Sequence, residues 1–280
     1  MNDSSRAADP ALARALASRL KVALRAAETA GAILMEHLGQ LQSFEEKSPI
    51  DLVTVADQQS EAQLLSDLQS AFPTDTFLAE ERDGAEGAAS IAPRIAEVPF
   101  CWAIDPLDGT TNFAHGYLNF AVSIGLMHHG EPVLGVVLAP ARREVFVGGF
   151  GIRASCNNRA VRVSEVDDLS KALLATGFPY DRRERIEELM GWLGRAISRA
   201  HGVRRAGAAA IDLCEVAAGR LDGFYEVGLS PWDLCAGHAI IEAAGGTITG
   251  WQGQQHDLFA GRTLASNGQV HAALVELLQP

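Results

Sequence analysis

The run CWAIDPLDGTTNF at residues 101–113 closes an apolar stretch with two aspartates, Asp105 and Asp108. Pro106 follows the first aspartate, and Gly109, Thr110 and Thr111 follow the second. Asp-Gly alone is common turn chemistry. Here, however, proline fixes φ directly after Asp105 and removes a donor, and glycine lets the backbone approach a ligand closely. The amides of Gly109, Thr110 and Thr111 can point into one concavity and hold an anion. Carboxylates and an anion nest share a pocket only when cations lie between them. Hard oxygen donors without clustered histidine or cysteine favour Mg²⁺, or Mn²⁺ in its place, over zinc. The pattern therefore points to metal held at a strand end, bridged to a substrate phosphate held by the next three residues.

Further acids stand at apolar-to-polar switches: Glu80 and Glu81 after TFLA, and Asp233 inside SPWDLCAG. Buried charges at such places cost several kcal/mol each unless compensated. Asp233 falls in the first turn of an expected helix, where an acid can simply complement the macrodipole. The preceding proline and tryptophan also allow it to aim into a cleft, and spacing does not decide between the two. His128 and His129 read as solvent-facing residues of a hairpin turn, and His115 follows the phosphate turn. Trp102 reads as core. The charged pairs of RRERIEEL are worth only tenths of a kcal/mol.

These residues need elements to position them. Apolar residues at three-and-four spacing predict a helix from Pro10 to about Leu38, with Gly39 as its stop. FEEKSPID at residues 44–51 reads as an exposed polar loop. Thr54 is placed to cap a second helix that Pro73 closes. TFLAEE reads as a short strand ending in acid, and RDGAEGAASIAPRIAEVP as an aperiodic surface loop. FCWAI, FAVSIGLM, PVLGVVLAP and EVFVGGF read as strands separated by turns at HHGE and ARRE, and CNN suits a turn that tolerates positive φ. Beyond it come the strands ALLATGF, DGFYEV, GGTITG and TLASN. Between them lie helices at RERIEELMGWLGRAISRAHG, at GAAAIDLCEVAAGR (stopped near Gly219) and at PWDLCAGHAIIEAAGG. An α+β half, residues 1–154, thus precedes an α/β half, residues 155–280, and the two are expected to fold as one compact body.

Composition narrows the function classes. A hydrophobic fraction of 48% supports a sizeable core. The formal net charge of −12 argues against a general nucleic-acid binder, which needs a basic face. Cys101, Cys156, Cys214 and Cys235 show no CxxC pairing and read as reduced core residues of a cytoplasmic protein. Arg14, Arg19, Lys21 and Arg25 interrupt any signal-peptide core, and no window is apolar enough for a membrane span.

Taken in order, KSPIDLVTVAD, FLAEE, WAIDPLDGTTNF, VRRAGAAAIDLCEVAAGRLDGFYEV and SPWDLCAGHAIIEAAGG resemble the inositol monophosphatase family, Mg²⁺-dependent and lithium-sensitive phosphatases related in fold to fructose-1,6-bisphosphatase. The family pattern W-x-I-D-P-[IL]-D-G-T-T-N-F is matched throughout residues 102–113. The resemblance implies a layered αβαβα sandwich in which a mostly antiparallel sheet packs on the α/β half. It implies two or three Mg²⁺ ions: Glu80, Asp105 and the Leu107 carbonyl at the first, Asp105, Asp108 and Asp233 at the second, and Glu80 again at a third. Thr110 and Asp57 would orient the attacking water, and the amides of Gly109 and Thr110 would hold the phosphate. Gly207, Ala209, Glu226 and Asp233 would contact the alcohol. Lys47 matches a loop position of the family. Ala79 stands where glycine is frequent, and Ala208 where relatives carry a hydroxyl.

The function so implied is hydrolysis of a small phosphate monoester, myo-inositol 1-phosphate first, by a homodimer. Histidinol phosphate, an amino alcohol ester, is the alternative within the class. Bisphosphate substrates are disfavoured because the sequence displays no dedicated basic cluster. A regulatory partner of RNA or transcription machinery, with HGVRR at residues 201–205 as its basic patch, is the alternative of another class.

Overall fold

The computed structural model describes residues 10–38, 44–46, 52–84 and 88–279. Its first part runs α1 (Pro10–His37), β1 (Phe44–Glu46), β2 (Leu52–Thr54), α2 (Val55–Ala71), β3 (Thr76–Ala79), α3 (Glu80–Asp83) and α4 (Ala88–Glu97). Then come β4 (Phe100–Asp108), α5 (Thr110–Ala114), β5 (Ala121–His128), β6 (Glu131–Ala139), β7 (Glu144–Gly149), β8 (Ile152–Cys156) and β9 (Arg159–Ala160). The remainder is β10 (Leu173–Thr176), α6 (Ile186–Arg199), β11 (Gly202–Arg204), α7 (Ala209–Ala217), β12 (Gly223–Val227), α8 (Pro231–Ala243), β13 (Thr247–Thr249), β14 (Arg262–Ser266) and α9 (His271–Leu278).

Five layers result, in the expected αβαβα order. α1 buries Leu12, Leu16, Ala23, Ala27, Ala30 and Leu34, and α2 buries Ala56, Leu64 and Leu68; these stripes cover one face of a seven-stranded sheet. That sheet is ordered β3-β4-β5-β6-β7-β8-β9, antiparallel except for the β3–β4 pair. α7 and α8 cover its other face. α8 is apolar nearly all round because it lies between two sheets. It also lies very close to the first: a Cβ on Gly125 would come 2.5 Å from Cys235, and one on Gly135 would come 2.1 Å from the Ala236 carbonyl. The second sheet is ordered β11-β10-β12-β14-β13, with β14 alone antiparallel to its neighbours. α6 and α9 close the outer layer. The passage from one sheet to the other lies between Ala160 and Leu173.

Two expected loops are replaced by structure. Within residues 82–99, α4 forms and buries Ile91 and Ile95, an i,i+4 pair that outweighs the Ala/Gly/Pro composition around it. Phe44–Glu46 is not loop but pairs antiparallel with Leu52–Thr54. Lys47 lies outside the described residues. β8, β9, β11 and α9 are elements that the sequence reading did not name. Trp102 is fully buried, and its indole N–H donates to Asp75 Oδ2 at 3.0 Å. Asp75 is in turn gripped by both ends of the Arg19 guanidinium, at 2.9 and 2.7 Å. Among the described residues no helix is long and apolar enough to cross a membrane.

Candidate metal and phosphate site

Strand parity explains why Asp105 and Asp108 act together. Residues three apart on a regular strand point to opposite faces. On β4, however, Asp105 lies opposite Ser123 and Asp108 opposite Ala121, so three steps on one strand match two on its partner. This is a bulge. Cys101 and Ala103 face α7 and α8, while Trp102 and Ile104 face α1 and α2. After the bulge Leu107 joins the α1/α2 side. Asp108 therefore shares the α8 side with Asp105. Pro106, which cannot donate to a ladder, occupies the bulge, and the buried Ser60 hydroxyl donates to its carbonyl at 3.1 Å.

The chain then turns through Gly109, whose φ of +92° is strained for residues with a Cβ, into α5. The Thr110 hydroxyl donates to the Leu107 carbonyl at 3.0 Å. The Asn112 side-chain amide donates to the carbonyls of Asn119 (2.7 Å), Ala206 (2.9 Å) and Gly207 (3.2 Å), tying this turn to the segment that enters α7. Asp108 accepts the amides of Ala209 (3.2 Å) and Ala210 (2.8 Å). An acid from another element thus satisfies the first turn of α7, whose own N-cap, Ala208, has no side-chain acceptor.

Three further elements complete the walls. α3 starts at Glu80 and is held by Glu61, which accepts the Glu81 amide at 2.8 Å, and by Asp83, which accepts the Ala79 amide at 2.9 Å. Asp233, in the first turn of α8, accepts the Ser230 amide at 2.7 Å and also lines the cavity beside Asp105, on which its charge acts. Both readings of Asp233, helix partner and cleft acid, thus hold at once. On β12, Glu226 lays its carboxylate over Gly177; a Cβ there would fall 2.1 Å from both oxygens.

The resulting cavity, about 570 Å³, is lined by Glu80, Asp105, Leu107, Asp108, Gly109, Thr110, Gly207, Ala209, Glu226 and Asp233. Asp57, buried in the first turn of α2, does not line it, but its charge acts on Asp105. His115 is exposed and outside the lining. The sequence displays no dedicated basic cluster, yet Arg182 and Arg205, the latter in HGVRR, both line the cavity. Arg182, Arg205, Asn112, Ser60 and Glu61 are what sequence reasoning missed. Asn112 carried a signal as part of the TTNF run, and Arg205 as part of HGVRR.

Burial, then the charges of Glu80, Asp108, Asp233 and Asp57, pushes Asp105 well above the usual carboxylate range. Burial and Asp233 push Asp108 up to about 7, against the pull of the α7 amides. Burial alone raises Asp233 to about 6. Burial followed by Asp212 and Asp233 raises Glu226, while Arg205 lowers it. Such a set stays ionised at neutral pH only beside cations. The lining acids offer oxygen donors without histidine or cysteine, which fits a hard divalent ion. Among the described residues no three acids, histidines or cysteines lie together closely enough to hold a metal ion by themselves. An open arrangement suits an ion that keeps several waters and takes substrate oxygens.

The model of the inositol monophosphatase family matches residues 15–280. An inositol-1-monophosphatase of Synechocystis sp. is 43% identical over 260 residues, 92% of this chain and 88% of its own. A protein of Pseudomonas aeruginosa named Nus factor SuhB is 40% identical over 266 residues, 93% of this chain and 96% of its own. The solved structure of an inositol monophosphatase from Anabaena (Nostoc) sp. PCC 7120 gives a TM-score of 0.82 at 40% identity, covering 94% of this chain and 96% of that one.

Proposed function

Since the chain belongs to the inositol monophosphatase family, whose members are phosphatases and generally metal-dependent, we propose that it hydrolyses a phosphate monoester of a small polyol, with myo-inositol 1-phosphate as the leading substrate and Mg²⁺ as the metal. The observation that carries this reading is the bulge in β4, which turns Asp105 and Asp108 to one side, where they meet Glu80 and Asp233 across a single cavity. Glu80, Asp105 and the Leu107 carbonyl would hold one ion, Asp105, Asp108 and Asp233 a second, and Glu80 a third. When bound, the ions supply positive charge to the phosphate and the leaving oxygen and make a water more acidic.

The chain's own groups do the rest. The amides of Gly109 and Thr110 bind the phosphate. The hydroxyl hydrogen of Thr110 is committed to the Leu107 carbonyl, so toward a water its oxygen can only accept. A water donating to Thr110 and to Asp57 turns its lone pair toward phosphorus. Gly207, Ala209 and Glu226 contact the alcohol. Arg182 and Arg205 in the wall disfavour the cationic amine of histidinol phosphate. Unassisted hydrolysis of phosphate monoesters is among the slowest reactions known, so rate enhancements of up to ~10²¹ are at stake.

The relatives named Nus factor SuhB raise the RNA-associated alternative. The net charge of −12 favours the enzyme. All four cysteines are free and buried, in keeping with a cytoplasmic enzyme, which we take to be a homodimer sensitive to lithium. The test is phosphate release from inositol 1-phosphate, histidinol phosphate and a 3′-phosphonucleotide with Mg²⁺ and after chelation. Hydrolysis should be greatest for inositol 1-phosphate and vanish with chelator; activity that resists chelation refutes the mechanism.

A further inference from the structure

A second cavity, of about 430 Å³, opens in the outer layer between α6, α9 and β14, and among the described residues it shares no lining residue with the metal cavity. Two indoles form its apolar wall. Trp192 and Trp251 meet edge to face, 85° apart with ring centroids at 4.5 Å. Trp251 is buried and its N–H is committed to the Thr263 carbonyl at 3.0 Å, while Trp192 is half-buried. Two cations stand at this wall. The Arg262 guanidinium lies 5.8 Å from the Trp251 ring centroid, on an exposed side chain with no hydrogen bond or ion pair among the described residues. Arg195 is anchored through Nε, which donates to the Leu277 carbonyl at 2.7 Å, and neither of its Nη nitrogens has a partner among the described residues. Gly191 leaves this guanidinium uncovered, since even a Cβ there would stand 3.9 Å from Nη1.

We infer that this outer cavity binds a small aromatic carboxylate, its ring against the indoles and its oxygens on the guanidinium groups of Arg195 and Arg262. A guanidinium presents paired N–H donors that match a carboxylate, and an aromatic ring gains beyond its buried area when it packs on another. The charge count selects a single negative charge. Glu188, also in the wall, is held by Arg185 at 2.8 Å, whereas Glu187 has no partner among the described residues. Two unpaired cations thus face one unpaired acid, and one positive charge is left to be met. A carboxylate meets it; a phosphate dianion exceeds it and is repelled by Glu187. The volume is that of a site for a small molecule. The inference stands independently of the phosphatase reading, because the two cavities are built from different residues.

Calorimetry on the full-length protein with Mg²⁺ tests this with three probes: indole-3-propionate, which carries ring and carboxylate, propionate, which lacks the ring, and tryptamine, which replaces the carboxylate by a cation. Indole-3-propionate should bind one to one and at least about tenfold more tightly than either of the others, the size expected of hydrogen bonds to charged groups. Arg262→Gln alters an exposed side chain outside the core, and it should weaken indole-3-propionate about fivefold or more while leaving the thermal midpoint of the free protein in place. Trp192→Leu keeps the wall apolar but removes the ring, and should weaken the same probe by a similar factor. Saturating inorganic phosphate should leave the affinity unchanged. Equal binding of the three probes, an affinity unmoved by Arg262→Gln, or displacement by phosphate, which would put the probe in the metal cavity, each overturns the site.

Discussion

His256 and His238 offer a stability test whose size follows from their contacts. His238 Nε2 meets Glu242 Oε1 at 3.3 Å, the two Nδ1 atoms meet at 3.1 Å, and His256 Nε2 meets Thr263 Oγ1 at 3.0 Å. Only one proton arrangement serves all three contacts with both rings neutral. His238 donates to Glu242, His256 donates Nδ1–H to His238, and Thr263 donates to His256. A proton added to His256 goes to Nε2, where the Thr263 hydroxyl would have to turn from donor to acceptor. Burial, then the charge of His238, pushes His256 down to about 3 from 6.5. A depressed histidine stabilises the fold above its unfolded value; below that value the unfolded chain takes up a proton the native state refuses. Lowering the pH from about 7.5 to about 5 should therefore cost about 2 kcal/mol through this group, 1.5 units at 1.36 kcal/mol each. The figure hardly depends on how far below about 5 the native value lies. Urea unfolding of the Mg²⁺-loaded protein at both pH values, beside His256→Gln, isolates it. The raised carboxylates of the cavity act in the opposite sense but are common to both proteins. Equal pH slopes for wild type and variant, within about 0.5 kcal/mol, would refute the proton arrangement.

Asp108→Asn retains shape but loses a charge, and it offers the Ala209 and Ala210 amides one acceptor instead of two; phosphate release at saturating Mg²⁺ should fall at least about a hundredfold. Near-normal turnover would sink its role as a ligand. Gly177→Ala places a methyl against both Glu226 oxygens, so the carboxylate must swing away. The change should destabilise by about 1–3 kcal/mol and raise KM for the polyol ester while leaving inhibition by inorganic phosphate unchanged. A matching rise in the inhibition constant for phosphate would show that Glu226 is not specific to the alcohol.

Local signals made much of this molecule legible. The strands around β4–β7 announce themselves by β-branched runs, and Asn157 and Asn158 adopt φ of 49° and 62° where CNN called for a tight turn. α4 was hidden because Pro93 and the alanines around it resemble a linker, although Ile91 and Ile95 held the helical spacing. β1 and β2, three residues each and paired with each other, are too short for alternation to register. In the site, the acids could be listed from sequence, but their convergence could not. That Asp233 meets Asp105, or that Arg205 folds back over Gly207, depends on how the layers dock, and chain spacing carries no record of docking. Pro106 inside a strand was the one available hint of the bulge.

The bulge has a consequence for how this segment can change over generations. Alternation along a strand is a two-state count, and the irregularity at Pro106 resets it once. Exchanging side chains, as at Leu107 where the proposed ligand is the backbone carbonyl, leaves the count intact. Pairing the segment regularly at its present length would turn Asp108 toward the layer that holds Trp102 and Ile104, stranding a charge in hydrocarbon. Sequences that descend from this one are therefore free to vary in letters across residues 105–108 only where the bulge survives.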